Sequence, residues 1–306
     1  MMDDIAEIGK ALNAAGVSIA AGGIGEVTRL PGLTNNTWRV TVDGVDYVVR
    51  LPGAGTSAHI DRAAEAHNLR VAETIGVAAP VIHIDPSTGI LVMRFRDDAV
   101  VPDDAHMKRP DVIARLGAVL RRLHEGPAFR GVMNPFDKID HYLVTAGLAP
   151  DAELAFGSRW PSMLALAHVA AFDARALRPC HVDPVAANML DTPDRLILID
   201  WEYAAMSEPL WDLAYVAVEA DFDNEQKAGL LAAYGAGDAD DLTLWCAIAM
   251  AVTAAWCMMQ RVLAPGEADF DAYATRRLAD LDRILADPAL RRCLDSSQGA
   301  NARAAL

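Results

Sequence analysis

Residues 180–190 read Cys180-His181-Val182-Asp183-Pro184-Val185-Ala186-Ala187-Asn188-Met189-Leu190, and Arg195-Leu196-Ile197-Leu198-Ile199 follows shortly after and ends on Asp200. Reduced to its polar side chains, the stretch is His-x-Asp, four residues, Asn, a hairpin, and an Asp at the end of a short apolar strand. Any one of these residues is an ordinary turn former. Together they match a demanding chemistry. Phosphoryl transfer from a nucleotide needs one carboxylate to orient and deprotonate the attacking hydroxyl, and oxygen ligands to hold Mg²⁺ against the phosphates. Asp183 suits the first task; Asn188 and Asp200 suit the second.

Upstream of this stretch the chain alternates short β-like runs with turns. A helix is predicted over residues 2–15 and strands over 24–30, 37–42 and 47–51, the last two joined through Asp43-Gly44, a strong hairpin signal. A helix over 60–75 follows, closed by Gly76, and then strands 81–84 and 90–95 around Asp85-Pro86-Ser87-Thr88-Gly89. Beyond Arg96 the pattern turns helical, with Ile113, Leu116, Leu120 and Leu123 on one face of a helix over 110–125. The predicted fold is therefore α+β and bilobal. A small antiparallel-sheet lobe, residues 1–95, precedes a larger, mainly helical lobe, residues 96–306.

Composition narrows the partners. With 42 acidic against 27 basic residues and a net charge of −15, the chain is ill suited to nucleic acid. The four cysteines show no metal-ligand spacing and read as reduced thiols. The N-terminus, MMDDIAEIGKALNAAG, carries acids where an export signal needs bases, so a cytoplasmic location is expected. Leu242 to Met259 holds no charge and reaches the ~18 residues of a membrane-span candidate. Its Ala, Met, Cys and Thr content reads instead as a helix buried in a globular lobe, without membrane insertion.

His181-x-Asp183-x4-Asn188 with Ile199-Asp200-Trp201-Glu202-Tyr203 resembles the choline/ethanolamine kinase branch of the aminoglycoside-phosphotransferase-like superfamily, and within it the bacterial choline kinases of cell-surface phosphocholine decoration. The resemblance runs from about Gly32 to Asp282. It implies a protein-kinase-like fold, ATP and Mg²⁺ as cofactors, and transfer of the γ-phosphate to choline or a related amino alcohol. On the nucleotide side it implies that Thr34, Asn35 and Asn36 cover the phosphates and that Arg50 holds them. Glu65 would fix the Arg50 rotamer, and backbone groups around Met93 and Phe95 would meet adenine. His181 and Asp212 are implied as structural supports of the loop. A solvated strand-end Arg50 and an exposed helical Glu65 are the alternatives.

For the acceptor, the resemblance implies Glu219 near an ammonium group and Trp256 as an aromatic wall. Phe270, Tyr203 and Trp211 are further candidates, and each aromatic has core packing as its alternative. Thr253 stands three residues before Trp256, where a second Trp would complete a cage. That departure leaves ethanolamine or an unrelated small alcohol open beside choline. An aminoglycoside, thiamine or sugar-like acceptor on the same fold, and a catalytically silent nucleotide-binding relative, are the other readings. The expected partner is a small, cationic alcohol, with a homodimer left open.

Overall fold

Asp43 and Gly44 turn the chain with φ of 52° and 76°, the two left-handed residues that a tight antiparallel hairpin requires. The computed structural model describes residues 2–19, 23–31, 35–53, 60–148, 152–170, 175–264, 269–288 and 290–294. The first lobe runs α1 (Met2–Ala14), β1 (Ile24–Arg29), β2 (Asn36–Val42), β3 (Val45–Leu51), α2 (Arg62–Thr74), β4 (Val81–Ile84) and β5 (Leu91–Arg94). The strands form one antiparallel sheet in the order β1-β2-β3-β5-β4.

Each face of this sheet has a different task. Ile8, Ala11 and Leu12 recur at helical spacing on α1 and close over Val40, Val42, Tyr47, Val49 and Val92. Strand alternation then sends Arg50, one residue past Val49, to the opposite face, where it meets α2. Helix α2 starts where Asp61 accepts hydrogen bonds from the amides of Ala63 and Ala64. It also ties the lobes together. The fully buried Asn68 donates to Ala204 O at 2.7 Å and Arg130 O at 3.0 Å, and accepts from Arg130 N at 2.8 Å.

The second lobe carries α3 (Asp104–Met107), α4 (Pro110–His124), α5 (Pro135–Thr145), α6 (Ala152–Phe156), α7 (Trp160–Val169), β6 (Arg178–Cys180), β7 (Met189–Asp191), β8 (Leu196–Leu198), β9 (Ala205–Ser207), α8 (Pro209–Glu219), α9 (Asn224–Tyr234), α10 (Ala239–Leu263) and α11 (Phe270–Leu285). The sheet lobe followed by a helical lobe is the α+β architecture that the sequence pattern predicts. Strand β9 is an addition: it pairs with β6 and flanks the His-x-Asp loop. The apolar run at Leu242 to Met259 lies within α10, and 83% of its most apolar window is buried inside the protein. It packs among α5, α8 and α11 as a core helix. Truncating a fully buried leucine here, such as Leu120, costs about 2–5 kcal/mol.

Candidate functional site

The His-x-Asp loop is held from below. Asp212, fully buried on α8, accepts from His181 N at 2.7 Å and Val182 N at 2.8 Å. Trp211 Nε1–H donates to Val182 O at 2.8 Å. These bonds hold Val182 at φ 75°, a strained conformation for a β-branched residue. The His181 ring donates from Nε2 to Ile199 O at 2.9 Å and meets Trp201 edge-on at 4.7 Å. Burial keeps the His181 pKa low, so the ring is a neutral prop. Behind the loop, Asp212 Oδ2 faces His124 Nε2 at 3.1 Å, and His124 Nδ1 faces the Tyr234 hydroxyl at 2.9 Å. His124, Cys180 and Asp212 converge closely enough to suggest a metal cluster, but Asp212 already serves two backbone amides.

Trp211 is only 1% exposed. This corrects the acceptor-side reading of that residue: it carries no free surface for a ligand and braces the loop through its indole N–H.

Above the loop, Asn188 donates its amide to Asp183 O and Asp183 Oδ2, both at 3.0 Å. Asp200 follows β8 with φ 62° and faces Arg50 across the lobes, Arg50 Nη1 to Asp200 Oδ1 at 3.2 Å. Burial pushes the Asp183 carboxyl up to about 6; Lys138 opposes the rise, while Glu219 and Glu202 add to it. Burial also raises Asp200, with Glu202 reinforcing the shift and Arg50 opposing it. The cleft is thus crowded with carboxylates that raise one another's pKa, and its donors are oxygens. That is the environment a hard divalent cation such as Mg²⁺ fits, with Asn188 and Asp200 as holding groups.

The sheet lobe supplies a buried ionic network. Arg50 Nη2 lies 2.5 Å from Glu65 Oε1 and donates to Gly89 O at 3.0 Å. Arg62 joins from α2, at 2.8 Å from Glu65 Oε2 and 3.3 Å from Glu202 Oε2. Asn35 donates to Glu202 Oε2 at 2.8 Å, so the loop before β2 touches the second lobe. Gly89, at φ 77°, accommodates this packing, because a Cβ there would lie 2.6 Å from Arg62 Cδ. Met93 lines a narrow interlobe cavity with Leu91, Ile199 and Asp200.

Of three further nucleotide-side expectations, one falls on an undescribed residue and two point elsewhere. Thr34 lies outside the described residues. Asn36 turns its side chain to Arg29, accepting at 2.9 Å on the exposed side of the sheet. Phe95 uses its amide on Asp46 O at 3.0 Å and its ring is covered by Arg39 at 4.1 Å, so that N–H is no donor for a base.

On the acceptor side, Trp256 of α10 meets Phe270 of α11 edge-on, with ring centroids 5.6 Å apart. Tyr203 carries the Lys138 ammonium 4.7 Å above its ring. Glu219 is not a lone carboxylate. Its Oε1 pairs with Arg277 at 3.1 Å and accepts from Thr253 at 3.5 Å, while its Oε2 accepts from the Tyr273 hydroxyl. Arg277, 3% exposed, also donates to Val218 O at 3.1 Å and Tyr273 Oη at 3.1 Å. Tyr215 stacks on Trp211 at 5.3 Å, and its hydroxyl pKa is raised by burial and by the charges of Asp183 and Glu219.

Residues 26–248 match the phosphotransferase enzyme family. The chain belongs to it. Protein LicA of Haemophilus influenzae is 30% identical over 66% of this chain and 60% of its own length, so the match leaves about two fifths of that relative uncovered. A solved choline/ethanolamine kinase family protein from Mesorhizobium loti has a TM-score of 0.80 and 32% identity, covering 97% of this chain and 99% of that one. A structure of LicA in complex with AMP has a TM-score of 0.70 and 25% identity, covering 86% and 92%.

Within this phosphotransferase, the sequence reading passed over Arg62, Lys138, Tyr142, Tyr215, Tyr273 and Arg277. One signal for most of them was present: Lys138/Tyr142, Tyr215/Glu219 and Tyr273/Arg277 are each four apart on α5, α8 and α11. Only the crossing of those helices turns the three pairs toward one place.

Proposed function

We propose that this phosphotransferase moves the γ-phosphoryl group of ATP, with Mg²⁺, to the hydroxyl of choline or a related amino alcohol. The observation that carries the proposal is the meeting of Asp183, Asn188 and Asp200 with the Arg50–Glu65 pair, closed across the lobes by the 3.2 Å contact of Arg50 with Asp200. Asp183, its carboxyl raised to about 6, orients the acceptor hydroxyl and takes its proton. Asn188 holds Asp183 in place and, with Asp200, binds the metal ion. Bound Mg²⁺ supplies charge neutralisation at the phosphates. Arg50, steadied by Glu65, grips the nucleotide phosphates, and Met93 contributes to the base pocket. Trp256 and Phe270 offer aromatic faces to the acceptor's ammonium group, and Glu219 lies within the same wall. Most of the rate comes from positioning and electrostatics, because this transition state asks for little covalent help.

A second reading has its own support. Arg277 offsets Glu219, Lys138 covers Tyr203, and Thr253 leaves the cage short of one aromatic. These features favour a neutral, sugar-like alcohol on the same machinery. A coupled ADP-release screen over choline, ethanolamine, thiamine, homoserine, aminoglycosides and uncharged sugars separates the readings. Turnover confined to quaternary or primary amino alcohols supports the first, and turnover confined to uncharged alcohols supports the second. No ADP release with any acceptor, alongside intact nucleotide binding, defeats both.

A further inference from the structure

Lys138 is the one cation facing Asp183 that the described residues leave without an ion-pair partner. It lies in the second turn of α5, whose start is capped by Asn134 and set by Pro135. Its ammonium rests on the ring of Tyr203, three residues beyond Asp200, and among the charges acting on Asp183 it is the one that favours the carboxylate. Each neighbouring arginine has ion-pair partners. Arg50 is held by Glu65, Asp200 and Gly89 O; Arg62 by Glu65 and Glu202; Arg277 by Glu219 and Asp280. The loop His181 to Asn188 contains no Lys or Arg of its own.

We propose that Lys138 is a catalytic residue that meets the phosphoryl group during transfer, its ammonium parked on Tyr203 until that group arrives. The inference rests on the phosphotransfer reading above. Transfer brings negatively charged phosphoryl oxygens beside Asp183 and Asp200, whose carboxyls already feel Glu202, and Asp183 also Glu219. A mobile cation stored on an aromatic face is weakly held and keeps all three N–H donors for a stronger, doubly charged partner. The reaction balance is unchanged: the bond from γ-phosphorus to its bridging oxygen breaks, the bond to the acceptor oxygen forms, and Asp183 takes the hydroxyl proton. Lys138 remains an ammonium throughout and moves no proton.

The test compares the full chain with Lys138→Met and Lys138→Arg. Three readouts are taken: steady-state kinetics, binding of MgADP, and the extra thermal stabilisation when aluminium fluoride, a mimic of the phosphoryl in flight, is added to MgADP with acceptor. For Lys138→Met we expect kcat to fall on the order of 100-fold, with the KM for ATP and the affinity for MgADP within about twofold of wild type. The additional stabilisation by aluminium fluoride should be lost, and Lys138→Arg should recover part of both. Wild-type turnover with an indifferent Lys138→Met overturns the inference alone. A lower KM for cationic acceptors at unchanged kcat also overturns it, making Lys138 a charge barrier over Tyr203. Wild-type protein that binds MgADP but neither turns over nor responds to aluminium fluoride overturns the phosphotransfer reading, and this inference with it.

Discussion

Among the buried arginine–glutamate pairs around the cleft, Arg50–Glu65 and Arg277–Glu219 are built for different ends. Arg50–Glu65 joins strand β3 to helix α2 at 2.5 Å, and Arg50 keeps one nitrogen turned across the lobes toward Asp200. Arg277–Glu219 joins α11 to α8 at 3.1 Å, and the arginine's remaining bonds run to Val218 O, Tyr273 and Asp280. The first pair opens onto the cleft where we propose the nucleotide binds; the second closes in on itself. A buried arginine can thus act as a ligand-binding group or as a charge cap on a neighbouring acid. The difference lies in where its spare N–H groups point.

The largest effect tests whether the cleft between the two pairs is the reacting centre. Asp183→Asn should lower kcat on the order of 1,000-fold while leaving Mg-ATP binding nearly unchanged, measured by steady-state kinetics beside thermal shift. Near-full activity in that variant would remove Asp183 as the base.

Arg277→Met leaves Glu219 with only the Thr253 and Tyr273 hydroxyls, a loss of about 3–5 kcal/mol in unfolding free energy by urea titration, and Arg50→Met should cost less because Glu65 keeps Arg62. Arg50→Met should also raise the KM for ATP, and Arg277→Met should instead alter the KM for the acceptor. If both variants shift the same constant, the contrast between the pairs dissolves. The double variant Arg277→Met with Glu219→Gln should regain part of the lost stability, because no uncompensated charge remains buried.

A smaller effect sharpens the nucleotide side. Mg-ATP at about 100 times its Kd should stabilise the wild type by about 2.7 kcal/mol, and Asp200→Ala should remove most of that gain. On the acceptor side, Trp256→Ala should raise the KM for a quaternary amine about tenfold, or about 1.4 kcal/mol, with little change for ATP. Equal changes in both constants would assign Trp256 to packing.

The contrast between the pairs also follows how each is written in the chain. Arg50 and Glu65 are fifteen positions apart, on a strand and helix that the turn signals and period-two pattern already delimit. Arg277 and Glu219 are separated by α9 and α10, and no periodicity says which faces of α8 and α11 will meet. The engagement of the Phe95 amide and the burial of Trp211 escaped the sequence for the same reason. A backbone amide's availability depends on its hydrogen-bond partner, here Asp46 O, and an aromatic's exposure on what packs against it, here Tyr215 and the Val182 carbonyl.

Local chemistry by itself determined the hairpin at Asp43-Gly44, the sheet-then-helices order, and the contiguous set His181, Asp183, Asn188 and Asp200, because each depends on neighbours along the chain. Only the tertiary structure decided that Glu219 is capped by Arg277, that Asn35 and Arg62 reach Glu202, and that Lys138 rests over Tyr203 with no ion-pair partner among the described residues. Coulomb energy and hydrogen bonding fall off within a few ångströms. Which charges share that distance is settled by helix packing, and helix packing is specified by the whole core rather than by any one segment.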